Sequence, residues 1–412
     1  MRSPTHFTTA VLATTTVMST FAVLGSAHNN DNSNNTTPQS TGQYKLTDDI
    51  SYANFFSSFD FFTGPDPTQG FVQYQNLTSA IEQKLIGYLP DTQSVFLGVD
   101  YTNKNDKGRA SVRIESKKAW SQGLLIADIR HMPASQCSVW PAYWLLGYDP
   151  TGKTSWPELG EVDLLEGVND YEQNSVTLHT SKGCVVDNST MPAPSTGGTS
   201  STEAAFTGLM TTDDCDVAAA GQGKNVGCSI QAPKIMSGVQ LGSGTDSEET
   251  SLPSYGTEFN KAGGGIYAME WTSSGISVWF IPRNSAAYTT NFGNNTSTNS
   301  MTSPDPSTWG ITPIARFSGS GCDYTQRFQN LKVIFDTTFC GEWAGKEWDK
   351  SCAAKTGVAT CEAYVRDNPD AFTEAYWEIA GLKWYQRGAE PETHEKCEVV
   401  APAPLFVKVK DR

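Results

Sequence analysis

Past a polar start, the chain is built from short apolar runs, each closed by Gly, Pro, Asn or Ser. The clearest are Ser94–Val99, Ala110–Ile114, Leu124–Ile129, Val162–Leu165, Val176–His179, Ile266–Trp271, Ile276–Ile281 and Leu331–Phe335. All are rich in Val, Ile, Phe or Trp. Many short strands separated by frequent turn signals predict an all-β sandwich or barrel. Helical periodicity is scarce and predicts helices only over Leu77–Leu85 and Asp370–Tyr376. Two stretches resist strand assignment. Residues 183–255 are rich in Gly, Ser and Thr and hold Cys184, Cys215 and Cys228, which predicts a long surface excursion tethered by disulfides. Residues 284–312 are similarly polar. No internal repeat stands out, so residues 43–386 read as one domain.

The ends differ from this body. Arg2, an apolar stretch from Ala10 to Leu24 broken by threonines, and Gly25-Ser26-Ala27 together read as a secretory signal over residues 1–27. A spanning helix would need about 20 mostly apolar residues. Residues 28–42 form an Asn-rich flexible leader, and residues 387–412 a charged tail. The expected location is therefore extracellular, with N-x-[ST] acceptors at Asn34, Asn35, Asn76, Asn188, Asn294 and Asn295 open to glycosylation. In an oxidising compartment the nine cysteines read as disulfides with one left over. Cys397 in the tail is the expected odd one. The other eight allow many connectivities, and spacing does not choose among them.

Charge narrows the partners. Lys and Arg number 29 against 44 Asp and Glu, a net charge of -15, and only 18% of residues are charged. An acidic chain without a basic stripe is a poor ligand for nucleic acid or for an anionic membrane. Aromatics make up 11%, ample apolar surface for a folded core. A neutral partner remains open, and the chain is expected to be a monomer.

The chemistry concentrates in Trp156-Pro157-Glu158-Leu159-Gly160-Glu161-Val162-Asp163-Leu164-Leu165-Glu166-Gly167. On a regular strand Glu161 and Asp163 share a face, and Glu166 points the other way. One extra residue taken up in a β-bulge returns Glu166 to their face. An ordinary exposed strand would keep strict alternation, which fails at Leu164-Leu165. Two carboxyls held close are what a retaining glycosidase needs, one as nucleophile and one as proton donor. Crowded like charges drive their pKa values apart. A third acid between them can orient the nucleophile. Trp140, Trp144 and Trp156 are near in sequence, and sugar C–H faces stack on such rings.

At these residues the chain closely resembles the fungal endo-1,3(4)-β-glucanases, or laminarinases, of glycoside hydrolase family 16. The resemblance extends through Phe61-Phe62-Thr63-Gly64-Pro65-Asp66-Pro67-Thr68, Ser111–Ser116, Cys137–Trp144, Gly160–Asn169, Thr177–Thr180, Tyr267–Trp271 and Phe335–Gly345. It implies a concanavalin A-like β-jelly-roll sandwich with long disulfide-tethered loops and a cleft across one concave sheet. It implies Glu161 as nucleophile, Glu166 as acid/base and Asp163 as assisting acid. It places Trp140, Trp144, Trp156, His179, Arg113 and Trp343 in substrate binding, although Arg113 could simply pair with Glu115. No cofactor or metal is expected, since no calcium-loop pattern occurs. The segment 147–155 looks longer than in shorter relatives. The implied activity is endo-hydrolysis of β-1,3 linkages in β-glucans, and of β-1,4 linkages next to them. A wall-remodelling transglycosylase on the same fold, whose motif is usually E-x-D-x-E, is the alternative. A non-catalytic glucan-binding protein would be expected to lack the glutamates.

Overall fold

The computed structural model describes residues 43–187, 206–236, 250–293 and 303–388. Two eight-stranded sheets dominate them. One runs Ala315–Ser318, Gly275–Pro282, Gly265–Thr272, Gly123–His131, Tyr376–Arg387, Ser94–Gly98 and Ile86–Leu89, with Tyr44–Ser51 also pairing along Tyr376–Arg387. The other runs Leu209–Thr212, Cys228–Gln231, Ser175–His179, Glu161–Glu166, Val139–Gly147, Leu331–Phe339, Arg113–Ser116 and Phe59–Phe61. Pairing within both is antiparallel. The inward faces of both supply one core, from Leu125, Ile129, Met269, Val278 and Trp377 on the first to Tyr143, Leu145, Val162, Leu165, Leu178 and Phe335 on the second. Burying each such side chain contributes about 1.5–3 kcal/mol. The expected β-jelly-roll sandwich is the architecture found.

The first sheet is apolar outside as well. Leu124, Ile126, Ile266, Trp279, Ile281 and Tyr385 form a second cluster there, closed by Phe292 and Trp309 from the 284–312 segment. That segment also forms the helix Ala286–Asn291, whose first turn is capped by the Ser285 hydroxyl accepting from the Tyr288 N–H. The polar reading of this stretch missed its role as a cover.

Several local expectations need correction. Leu77–Leu85 is helical only over Leu77–Glu82, capped by Asn76. Asp370–Tyr376 is not a helix: a single turn over Pro369–Phe372 precedes the long strand from Tyr376. The run Ala110–Ile114 breaks at Val112, so Arg109–Ser111 pairs in parallel with Val72–Tyr74 while Arg113–Ser116 joins the second sheet. The excursion 183–255 is partly strand: Cys228–Gln231 and Leu209–Thr212 extend the second sheet beyond Ser175–His179. Pairing to an existing edge gives these polar segments a strand conformation that their composition hides.

Eight cysteines form Cys137–Cys352, Cys184–Cys322, Cys215–Cys228 and Cys340–Cys361. Two of these tether the excursion, and two hold the short helices Cys352–Thr356 and Cys361–Asp367 against the domain. Cys397, the proposed signal and leader, the tail beyond 388, and all the acceptor asparagines except Asn76 lie outside the described residues. Among the described residues no helix is long and apolar enough to cross a membrane.

Candidate active site

The site is built on the outward face of the second sheet. Gly160, at φ +79°, turns the chain into the central strand Glu161–Glu166. A Cβ there would sit 2.5 Å from the Phe328 ring, so only glycine fits. Pairing with Val139–Gly147 runs Glu161↔Leu146, Val162↔Leu145 and Asp163↔Trp144, then jumps to Leu165↔Tyr143 and Glu166↔Ala142. Leu164 is the extra residue. Val162, Leu164 and Leu165 are fully buried, while Glu161, Asp163 and Glu166 face the other way. The bulge read from the broken alternation is present.

Asn174 holds this bulge. Its buried side chain donates from Nδ2 to the Leu164 carbonyl at 2.7 Å and accepts at Oδ1 from the Glu166 N–H at 2.9 Å. Its own N–H donates to the Ser254 hydroxyl. The ladder to Ser175–His179 stops at Asp163↔Thr177, and the Asn174 amide replaces the backbone partner beyond it. Nothing in the local sequence signals this residue.

The three acids have different neighbours. The Trp140 indole N–H donates to Glu166 Oε1 at 2.7 Å. His179 Nε2 lies 3.2 Å from Asp163 Oδ2 and 4.0 Å from Glu161 Oε1. The Trp156 side chain stands beside Glu161 and favours its carboxylate form. Burial, then the charge of Asp163, pushes Glu161 up to about 8, against the pull of His179 and Trp156. Burial and then Asp163 also push Glu166 up to about 8, against Trp140 and His179. Asp163 is raised well above the usual carboxyl range, first by burial and then by Asp336. Such a cluster titrates as a unit. Its members cannot all ionise together, so it holds at least one transferable proton near neutral pH.

A second layer fixes the rings. Asp336 takes the Trp144 indole N–H at 2.7 Å and the Tyr74 hydroxyl at 3.1 Å. Burial pushes Asp336 up to about 6, with Arg113 and Trp144 opposing. Arg113 stacks at 4.9 Å over Trp144 and at 4.6 Å over Phe62, and pairs with Glu115 at 2.8 Å. Trp140 meets Trp343 edge-on at 5.5 Å, and Trp343 meets Tyr171 likewise at 5.9 Å. The structure thus gathers all nine expected residues along one face. Arg113 is buried and reaches the site through Trp144. Trp343 reaches it through Trp140. Trp156 stands exposed beside Glu161.

His179 has its own support. Gly227, at φ +67°, packs so closely that a Cβ would lie 2.8 Å from His179 Nδ1 and 2.4 Å from the Leu178 carbonyl. The Cys215–Cys228 disulfide ties down the adjacent residue. Glu161, Asp163 and His179 each bring one ligand atom within 4.8 Å of the others. Two carboxylates and an imidazole are a donor set a metal could use, and equally one that shares a proton.

A jelly-roll sandwich with this carboxylate face is the architecture of a class of glycoside hydrolases. A family model described as the XgeA-like catalytic GH16 domain matches residues 59–244 and 237–385. The chain belongs to glycoside hydrolase family 16. It is 40% identical over 351 residues to an endo-1,3(4)-β-glucanase of Arthroderma benhamiae, covering 84% of this chain and 66% of that one. It spans about half the length of other curated fungal relatives it matches. Among solved structures it is similar to Laminarinase 16A from Phanerochaete chrysosporium with β-glucans in donor and acceptor sites, at TM-score 0.66 and 35% identity over 84% of this chain and all of that one. It is equally similar to an elongating family 16 β-1,3-glucosyltransferase, at TM-score 0.66 and 37% identity over 83% of this chain and all of that one.

Proposed function

We propose that this protein is a secreted, endo-acting, retaining β-glucan hydrolase that cleaves internal β-1,3 linkages, and β-1,4 linkages adjacent to them. The observation that carries this reading is the bulge at Leu164, which turns Glu161, Asp163 and Glu166 to one face. The Glu161 carboxylate attacks the anomeric carbon, and the bond to the leaving oxygen breaks. The Glu166 proton passes to that oxygen, leaving a glycosyl ester on Glu161. Glu166 then takes a proton from water, whose oxygen attacks the anomeric carbon and frees Glu161. Asp163, between them and beside His179, shares its proton to orient Glu161. This chemistry calls for no cofactor or metal, and its substrate is neutral, as the acidic surface favours. Secretion is supported by the signal-like residues 1–27 and by the four disulfides.

Reducing-end release from laminarin tests the reading. Glu161→Gln is expected to lose at least roughly a thousandfold; wild-type turnover in that variant would remove Glu161 from its role. A second reading is favoured by the likeness to the elongating glucosyltransferase: the same ester could pass to a sugar hydroxyl instead of water. Product analysis at high oligosaccharide concentration separates the two. Chains longer than the starting oligosaccharide would mark transfer.

A further inference from the structure

Nearly all the aromatic side chains of the described residues are buried or half-buried. Among the described residues only Tyr148 and Trp156 stand exposed, at 41% and 45%. Both flank one turn, residues 149–155, and both lie at the Glu161 end of the site. Trp156 stands beside Glu161 and favours its carboxylate form. Tyr148 follows the strand Val139–Gly147, where Trp144 and Leu146 alternate on the outward face. Period two sets Tyr148 on that same face. Its neighbour agrees: Lys332 pairs opposite Leu146 between the buried Leu331 and Val333, so it also points outward. The Lys332 ammonium sits 4.1 Å above the Tyr148 ring.

The backbone beneath the ring is held in place. The Tyr148 N–H donates to the Asn330 carbonyl at 3.0 Å, and the Gly147 N–H to Gly160 at 2.9 Å. Asp149 gathers the turn, accepting from the N–H groups of Thr151, Lys153 and Thr154 and from the Thr151 hydroxyl. An exposed aromatic on a fixed turn, backed by a cation and continuous with a carboxylate site, loses little freedom on meeting a flat apolar partner. Pyranose rings offer such a face. The Lys332 ammonium over the Tyr148 ring adds a donor for hydroxyl oxygens.

We propose that Tyr148 and Lys332 form a distal sugar subsite, beyond Trp156, that takes one more neutral glucosyl unit of the bound chain and makes the enzyme prefer long chains to short ones. The proposal rests on the β-glucan reading above. Its test compares kcat/KM on laminaritetraose and laminariheptaose for wild type, Tyr148→Ala and Tyr148→Phe. Calorimetric binding of laminariheptaose is measured in parallel in the Glu161→Gln background. The heptaose-to-tetraose ratio should fall roughly 3- to 10-fold in Tyr148→Ala and hold in Tyr148→Phe, and binding should weaken by the same factor. An unchanged ratio and unchanged binding in Tyr148→Ala would overturn the subsite. So would an equal fall in Tyr148→Phe, which keeps the ring. If the wild type binds laminariheptaose through Tyr148 but cleaves neither substrate, the hydrolase reading fails and the subsite stands.

Discussion

The side-chain oxygen of Asn174 accepts the backbone N–H of Glu166 at 2.9 Å, while its amide nitrogen donates to Leu164 two residues earlier. One side chain thereby closes two backbone groups left open where the ladder to Ser175–His179 ends. Asn174→Ala leaves a buried donor and a buried acceptor unpaired, at about 1–3 kcal/mol each. Denaturant unfolding should show a loss of about 2–4 kcal/mol. Asn174→Asp keeps the acceptor but adds a negative charge beside Glu166. Its alkaline activity limit should move to higher pH, because a nearby anion holds the Glu166 proton more tightly. A role confined to stability would leave that limit in place.

Glu166 and Glu161 are expected to separate by leaving group. A sugar carrying an activated aryl leaving group needs little proton donation, so Glu166→Ala should retain much of its initial rate on such a substrate. On laminarin it should lose roughly a hundredfold or more. Equal losses on both substrates would show that Glu166 is not the proton donor.

The crowded carboxyls carry a stability cost with a definite sign. Glu166 is pushed up to about 8 in the fold, whereas the unfolded chain releases that proton near the ordinary glutamate value. Between the two, the folded state binds more protons, so stability falls as pH rises through this window and levels above about 8. Glu166→Gln removes the titrating group. By calorimetry its melting temperature should exceed that of wild type at pH 7, on the order of 1–3 °C, and should match it near pH 4. A variant less stable at pH 7 would contradict the shift.

Gly227→Ala places a methyl against His179 from a backbone position that disfavours side chains. The ring must move off Asp163 and Glu161. Turnover on laminarin should fall roughly tenfold while the 215–228 disulfide still forms, as checked by thiol titration. Wild-type kcat in this variant would mean that His179 is not held by this packing.

The bulge was legible because its evidence is local. Two adjacent leucines interrupt a strand that otherwise alternates acid and apolar, and only an extra residue reconciles Glu166 with Glu161 and Asp163. The aromatic face was legible for the same reason, since Trp140 and Trp144 sit at even spacing. Asn174 was not, because its role depends on where a distant strand ends relative to the kink. Asp336 carried a weak signal, a lone acid in the apolar run Leu331–Phe339, but its partners Trp144, Tyr74 and Arg113 come from three other segments. The helices Cys352–Thr356 and Cys361–Asp367 are too short to form alone. Disulfides from Cys137 and Cys340 fix them, and no pattern of apolar positions records that.

Among the described residues, Phe292 and Trp309 cover an apolar patch on the outer surface of the first sheet with the protein's own chain. A polymer meeting that patch finds it already covered. The carboxylate face lies on the other sheet, so the proposed reading confines productive encounters to that side. Tethering the protein to a support by its carboxylate face should silence it, whereas tethering it by the Phe292–Trp309 patch should not.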